Sequence, residues 1–380
     1  MRISLIGPTH PFRGGIAHYT TLLFRNLRKR HSVRFFSFIR QYPRWLFPGS
    51  SDRDLSDKPI NESGIDYTLD SLNPISWIQT AKAIRQYQPD LLIIPWWTAY
   101  WTLPFWIIAN IIKRTTTIEI LFLCHNVKEH ESNWLSQVCT KWVLGQGDCF
   151  LVHSRAETTL LRQISPKAQI IQGFHPTYED LQVVRYTRAE ARQRLRVSGN
   201  VLLFFGFIRP YKGLDYLLDT VPAIAKEMDG DLTVLVVGEC WQGEHEYQQQ
   251  IKDLGIGGYV RRINHYVPNE DISLYFAATD LVIIPYVSAT GSGVLQAALG
   301  AGRPVIASRI GALEEGVCHG RTGYLVPPAN APQLGRAIVD FFKEDNGPHF
   351  EREIQKEKDR FSWSRLVRII ENRHARDNSC

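Results

Sequence analysis

Short aliphatic runs alternate with amphipathic stretches along almost the whole chain. In the first half the apolar runs predict strands over Ile3–Gly7, Val33–Phe38, Leu91–Pro95, Ile118–Cys124 and Cys149–His153. Between them, apolar residues at helical spacing predict helices near Ile16–Lys29, Ile75–Tyr87, Leu103–Lys113, Asn133–Gly145 and Ser154–Ile164. Gln41–Asp66 is polar and poorly periodic, which predicts a long loop. After a charged segment around Val184–Val197 the pattern restarts. Strands are expected at Val201–Phe205, Leu232–Val237, Val260–Asn264, Leu281–Pro285, Pro304–Ser308 and Gly323–Val326. Their helices are expected near Leu214–Lys226, Glu246–Leu254, Ile272–Ala278 and Val294–Gly300.

Strand–helix alternation of this kind is the signature of a parallel sheet covered on both faces. The restart predicts an α/β protein of two doubly wound, Rossmann-like domains facing a central cleft. The expected boundaries are 1–185, 186–358 and a tail, 359–380, whose helix Phe361–Asn372 packs back on the first domain. A length of 380 residues suits two domains.

The uncharged run Leu91–Ile112 has membrane-spanning length, but Pro95 and Pro104 divide it, so a strand, a loop and a buried helix are expected. No leader pattern precedes the first strand, and the six cysteines form no Cys-x-x-Cys pair. Buried free thiols in a cytoplasmic protein are the reading these features favour. Residues 1–50 hold nine Lys/Arg and no Asp/Glu, and eight of the ten tryptophans lie at or before Trp142. That half suits an anionic membrane surface, or a solvated helix face above core aromatics. No nucleic-acid motif accompanies the charge, and nucleic acid is set aside as a partner.

Three clusters carry candidate chemistry. Thr290, Gly291, Ser292, Gly293 and Val294 follow a strand and open a helix, where free N–H groups and the helix dipole favour an anion. Arg209 and Lys212, between Gly206 and Gly213, put two cations after the first strand of the second sheet, at the end where open α/β folds bind ligands. Cations facing a helix N-terminus suit a diphosphate. In the first domain Gly14 and Gly15 form another glycine turn, without the spacing or acidic ribose partner of a dinucleotide fold, which argues against an NAD oxidoreductase. His125 and Asn126 end a strand. His130 and Glu131 follow, but with His125 they match no common zinc spacing.

Taken in order, Gly14–Gly15, His125–Asn126, Gly206–Gly213, Val236–Glu239, Tyr275–Tyr286, Pro304–Ser308, Gly311–Glu315, Gly323–Pro327 and Phe361–Trp363 resemble the retaining glycosyltransferases of family 4, the glycosyl transferases group 1. The resemblance covers nearly the whole chain and implies the GT-B fold. It also implies transfer of a sugar from a nucleotide diphosphate sugar, a UDP- or GDP-sugar, to an acceptor hydroxyl, with retention and no metal or other cofactor. By the same resemblance, catalytic roles fall on His125, Arg209 and Lys212. Donor-binding roles fall on Gly14, Gly15, Glu239, Thr290, Gly291, Ser292, Gly293, Val294 and Gln296, with Gln296 on the ribose hydroxyls. The basic, aromatic first domain suggests a lipid-linked or membrane-proximal acceptor, as in polysaccharide assembly; the expected partner is an acceptor glycan, a lipid-linked sugar or a small molecule, with the protein cytoplasmic or peripheral on the cytoplasmic membrane face. Two departures stand out. Ser288 and Gln296 occupy the usual glutamate positions, and Phe207 stands where an arginine usually follows the glycine. They keep open an alternative, a catalytically weak or inactive nucleotide-sugar-binding subunit.

Overall fold

The computed structural model describes residues 1–43, 45–46, 51–127, 134–178 and 184–374; His130, Glu131 and Cys380 lie outside them. The chain forms two compact units, one of residues 1–54, 59–176 and 362–380, the other of 55–58 and 177–361.

The first unit holds a seven-stranded sheet of β1 (Arg2–Ile6), β2 (Ser32–Arg40), β3 (Ile65–Asp70), β4 (Leu91–Trp96), β5 (Glu119–Cys124), β6 (Cys149–Val152) and β7 (Gln169–Gln172). The second holds β8 (Asn200–Phe205), β9 (Leu232–Val237), β10 (Val260–Ile263), β11 (Leu281–Ile284), β12 (Val305–Ser308) and β13 (Gly323–Val326). Spatial order is β3-β2-β1-β4-β5-β6-β7 in one sheet and β10-β9-β8-β11-β12-β13 in the other. All pairings are parallel, with Leu5 opposite Ile93 and Leu202 opposite Leu281 at the two central junctions. Each sheet therefore winds outward from its first strand in both directions. The order reverses between β1 and β4 and between β8 and β11, the switch points where such sheets bind ligands.

The central strands are aliphatic because helices cover both their faces. All six residues of β4 are buried. The run Leu91–Ile112 becomes β4, a single turn at Ala99–Trp101 and helix Thr102–Thr115. No described helix is long and apolar enough to cross a membrane.

Several expectations need correcting. β3 and β7 were not expected, and β3 begins inside the predicted loop; both are short, half-exposed edge strands with polar residues, so they show no apolar run. The charged segment before β8 contains helix Arg188–Leu195, started by a capping box of Thr187 and Glu190. Helices Gly311–Gly316, Ala331–Lys343 and Gly347–Lys356 were also not foreseen. The units divide at 176/177, not at 185, because Tyr178 is already buried in the second unit and its N–H reaches the Gln296 carbonyl at 3.4 Å. The return falls at 361/362, and helix Trp363–Glu371 packs on helix Gly15–Leu27 within the first unit.

The basic run at the start of the chain is largely neutralised. Arg25 and Arg28 pair with Glu62, Arg30 with Glu371, Arg34 with Asp66 and Arg40 with Asp70, so five of its nine cations are held by carboxylates of the same unit. The five described cysteines are free thiols.

Candidate functional site

In the second unit the loops after β8 and β11 lie side by side at the switch point. The Val287 N–H donates to the Tyr211 carbonyl at 2.8 Å, tying one loop to the other. Gly213 makes the approach possible: its φ is +68°, and a Cβ there would sit 2.1 Å from the Pro285 carbonyl oxygen. Gly238 plays the same part between β9 and β8, where a Cβ would lie 2.2 Å from the Gly206 carbonyl oxygen.

Lys212 is carried into this junction on the short turn Pro210–Lys212 and is buried. Its Nζ lies 5.4 Å from the Tyr286 ring centroid, a cation–π contact. No carboxylate among the described residues pairs with it. Burial, and then the charge of Arg209, push the Lys212 pKa down to about 7. A buried cation without a counter-charge is unfavourable in the empty protein and marks a place for an anion. Opposite it starts helix Gly293–Gly300. A Cβ on Gly206 would meet both the Lys212 Nζ, at 3.1 Å, and Val294 Cγ2, at 3.3 Å. The ammonium and the first turn of the helix thus flank the same small space. The N–H groups of Gly293 and Val294 have no hydrogen-bond partner among the described residues. At Gly291 a Cβ would touch nothing within 4 Å, so the chain's own packing does not demand glycine there; a ligand's close approach would.

Ser292 Oγ caps the helix, accepting from the Leu295 N–H at 3.1 Å, and it also bonds Tyr286. Thr290 and Gly291 remain half-buried beside it, and Ser288 is exposed. Gln296 is buried, and its Oε1 has no hydrogen-bond partner among the described residues, an orphaned acceptor one turn into the helix. Glu239 is half-buried at the end of β9, its backbone carbonyl accepting from the Ile208 N–H at 2.9 Å.

The sequence reading missed an aromatic shelf. Phe207 packs against Trp241 at a 4.5 Å centroid distance and stacks with Tyr266 at 6.1 Å. The Arg209 guanidinium lies 5.4 Å from the Tyr211 ring and 5.8 Å from the Trp241 ring. The signal was present, since Phe207, Trp241 and Tyr266 each follow closely on β8, β9 or β10, but Phe207 registered only as a missing arginine.

In the first unit Gly14, at φ +107°, caps helix Gly15–Leu27, and a Cβ on either Gly14 or Gly15 would touch nothing within 4 Å. His125 follows β5, with its N–H on the Trp96 carbonyl at 2.8 Å. Its ring lies perpendicular to that of Tyr19, with the centroids 4.5 Å apart. Buried His153, after β6, and half-buried His175, after β7, complete a group around Tyr19, and Trp363 covers Tyr19 from the C-terminal helix. Burial, then His153 and His175, hold the His125 pKa well below the usual histidine range. His125 is a neutral imidazole, and its Nε2 has no hydrogen-bond partner among the described residues. Among those residues no three His, Cys, Asp or Glu side chains are placed to hold a metal ion.

Residues 199–344 match the family model for glycosyl transferases group 1. A D-inositol 3-phosphate glycosyltransferase of Corynebacterium urealyticum is 26% identical over 69% of this chain and 67% of its own length. A mannosylfructose-phosphate synthase of Agrobacterium fabrum is 25% identical over 56% of this chain and 50% of its own. The chain thus spans about half to two thirds of these relatives. Among solved structures, Anabaena HepE with bound UDP-glucose superposes with a TM-score of 0.72 at 19% identity, covering 98% of this chain and 99% of that one. A sucrose-phosphate synthase of Thermosynechococcus elongatus gives 0.73 at 18% identity, covering 98% of both. Residues 199–344 are thus similar to the glycosyl transferases group 1, and over its length the chain has the two-sheet GT-B fold.

Proposed function

We propose that this protein transfers a sugar, with retention and without a metal, from a nucleotide diphosphate sugar to an acceptor hydroxyl on a glycan, a lipid-linked sugar or a small molecule. The observation that carries the reading is Lys212, a buried cation without a carboxylate partner among the described residues, beside the free N–H groups that open helix Gly293–Gly300. A donor diphosphate would satisfy both. The same groups, with Arg209, would stabilise the charge that grows on the leaving diphosphate. The Phe207–Trp241–Tyr266 shelf offers faces for a nucleobase, Gln296 Oε1 an acceptor for a ribose hydroxyl, and neutral His125 a hydrogen bond to a sugar hydroxyl. UDP-glucose is the first donor to test, because the HepE structure contains it.

A second reading, a donor-binding subunit with little turnover, is favoured by one observation: neither Ser288 nor Gln296 supplies a carboxylate. Thermal-shift screening against UDP-, GDP- and ADP-sugars identifies the donor. Donor hydrolysis or transfer is then measured for wild type, Lys212→Met and His125→Ala. Turnover abolished by both substitutions supports the enzyme; wild-type binding without turnover supports the subunit; no binding of any nucleotide sugar refutes both.

A further inference from the structure

Helix Trp134–Leu144 buries Thr140, Val143 and Leu144 toward the first unit, so its inward side already has a core. Its outward side is apolar as well. Trp134, Val138 and Trp142 follow one another at i, i+4 and i+8 with Leu135 beside them, and they are 75, 55, 46 and 53% exposed. Single exposed apolar residues are ordinary, but a row of four on one helix face marks an interaction surface. The row continues onto helix Thr102–Thr115, which packs alongside: the Trp106 ring stacks on Trp142 at 4.5 Å, and Leu103 is exposed.

Charge selects the occupant. Helix Trp134–Leu144 contains no acidic residue, and Lys141 lies on its exposed arc. Lys113 and Arg114 end the neighbouring helix, and Lys113 pairs with Asp148 at 3.4 Å. Lys141 and Arg114 make no ion pair among the described residues. A two-fold contact over this face would bring the cations of one copy toward the cations of the other. An anionic bilayer would accept the indole rings at headgroup depth and the cations at its phosphates. We propose that this face of helix Trp134–Leu144 docks the protein on an anionic lipid surface. The choice of a bilayer rests in part on the lipid-linked acceptor proposed above, whereas the apolar face does not.

The test is flotation of the full chain with vesicles of phosphatidylcholine alone or mixed 3:1 with phosphatidylglycerol. The protein floats with the anionic vesicles and less in high salt. Trp134→Ser/Val138→Ser/Trp142→Ser lowers binding at least tenfold, and Lys141→Glu lowers it about fivefold or more. Brominated lipids quench the wild-type tryptophan fluorescence, which decides the matter if the triple variant misfolds. No flotation, flotation unchanged in the triple variant, or a wild-type dimer in light scattering that this variant turns into a monomer would overturn the proposal. Binding of UDP-glucose is measured in parallel. Its retention without flotation removes only the docking surface, and its loss with flotation intact removes only the donor site.

Discussion

The clustered histidines of the first unit should make its stability strongly dependent on acid. Burial, then His175, push the His153 pKa down to about 3; burial pushes His175 down to about 4. Both start from an ordinary value of 6.5. Folded, the two rings stay neutral, and only the unfolded chain takes up protons as pH falls below 6.5. Their stabilisation is therefore complete above pH 6.5 and is lost as the pH drops toward their folded values. At pH 5 each ring lies about 1.5 units below its unfolded pKa, costing ~2 kcal/mol, or about 4 kcal/mol for the pair. In a unit of this size that lowers the melting temperature by roughly 10 °C. His153→Phe removes one of the two titrations. Thermal melts by circular dichroism between pH 5 and 8 should show the wild type losing stability in acid, and the variant losing ~2 kcal/mol less of it by pH 5. Parallel pH profiles for the two proteins would refute the argument.

Two further outcomes bear on the second unit. Trp241→Ala should weaken UDP binding roughly 5- to 100-fold while leaving pyrophosphate affinity unchanged, because stacking serves the base and not the phosphates; equal losses for both ligands in calorimetry would place the shelf elsewhere in function. Gly213→Ala forces a Cβ to 2.1 Å from the Pro285 carbonyl oxygen at φ +68°, so the loops after β8 and β11 must separate. A loss of about 2 kcal/mol or more in stability, with weaker donor binding, should follow, and an unchanged melting temperature would show that the junction yields freely.

Much of this architecture was legible in the chain. β4, β5, β8, β9 and β11 are buried on both sides, and continuous aliphatic runs announce them. β3 and β7 are edge strands whose exposed sides are polar, so Ile65–Asp70 reads like the loop before it. Lys212, Gly206, Gly213 and the Gly291–Gly293 turn stand out in the chain because glycines and cations after strands have local signatures. Other features depend on neighbours distant in sequence. The pairing of residues near 25–40 with Glu62, Asp66, Asp70 and Glu371 cancels a charge that composition alone made conspicuous. His153 and His175 join His125 only because β5, β6 and β7 are adjacent in the sheet.

The central claim is that Lys212 and the start of helix Gly293–Gly300 hold a diphosphate, and calorimetric titration with UDP-glucose across pH tests it most directly. The two phosphates of this ligand do not titrate near neutrality, so the pH dependence reports on the protein. With a free pKa of about 7, Lys212 is charged below that value and must take up a proton to bind a diphosphate above it. Affinity should be greatest below pH 7, then fall by up to about tenfold per pH unit, with an enthalpy that varies with the buffer's own ionisation. Lys212→Met should bind roughly 10- to 100-fold more weakly at pH 6.5, reflecting a lost charge-assisted bond, and should show no such slope. Wild-type affinity and pH dependence in that variant, or a wild type that binds no UDP-glucose, GDP-sugar or ADP-sugar, would contradict the account.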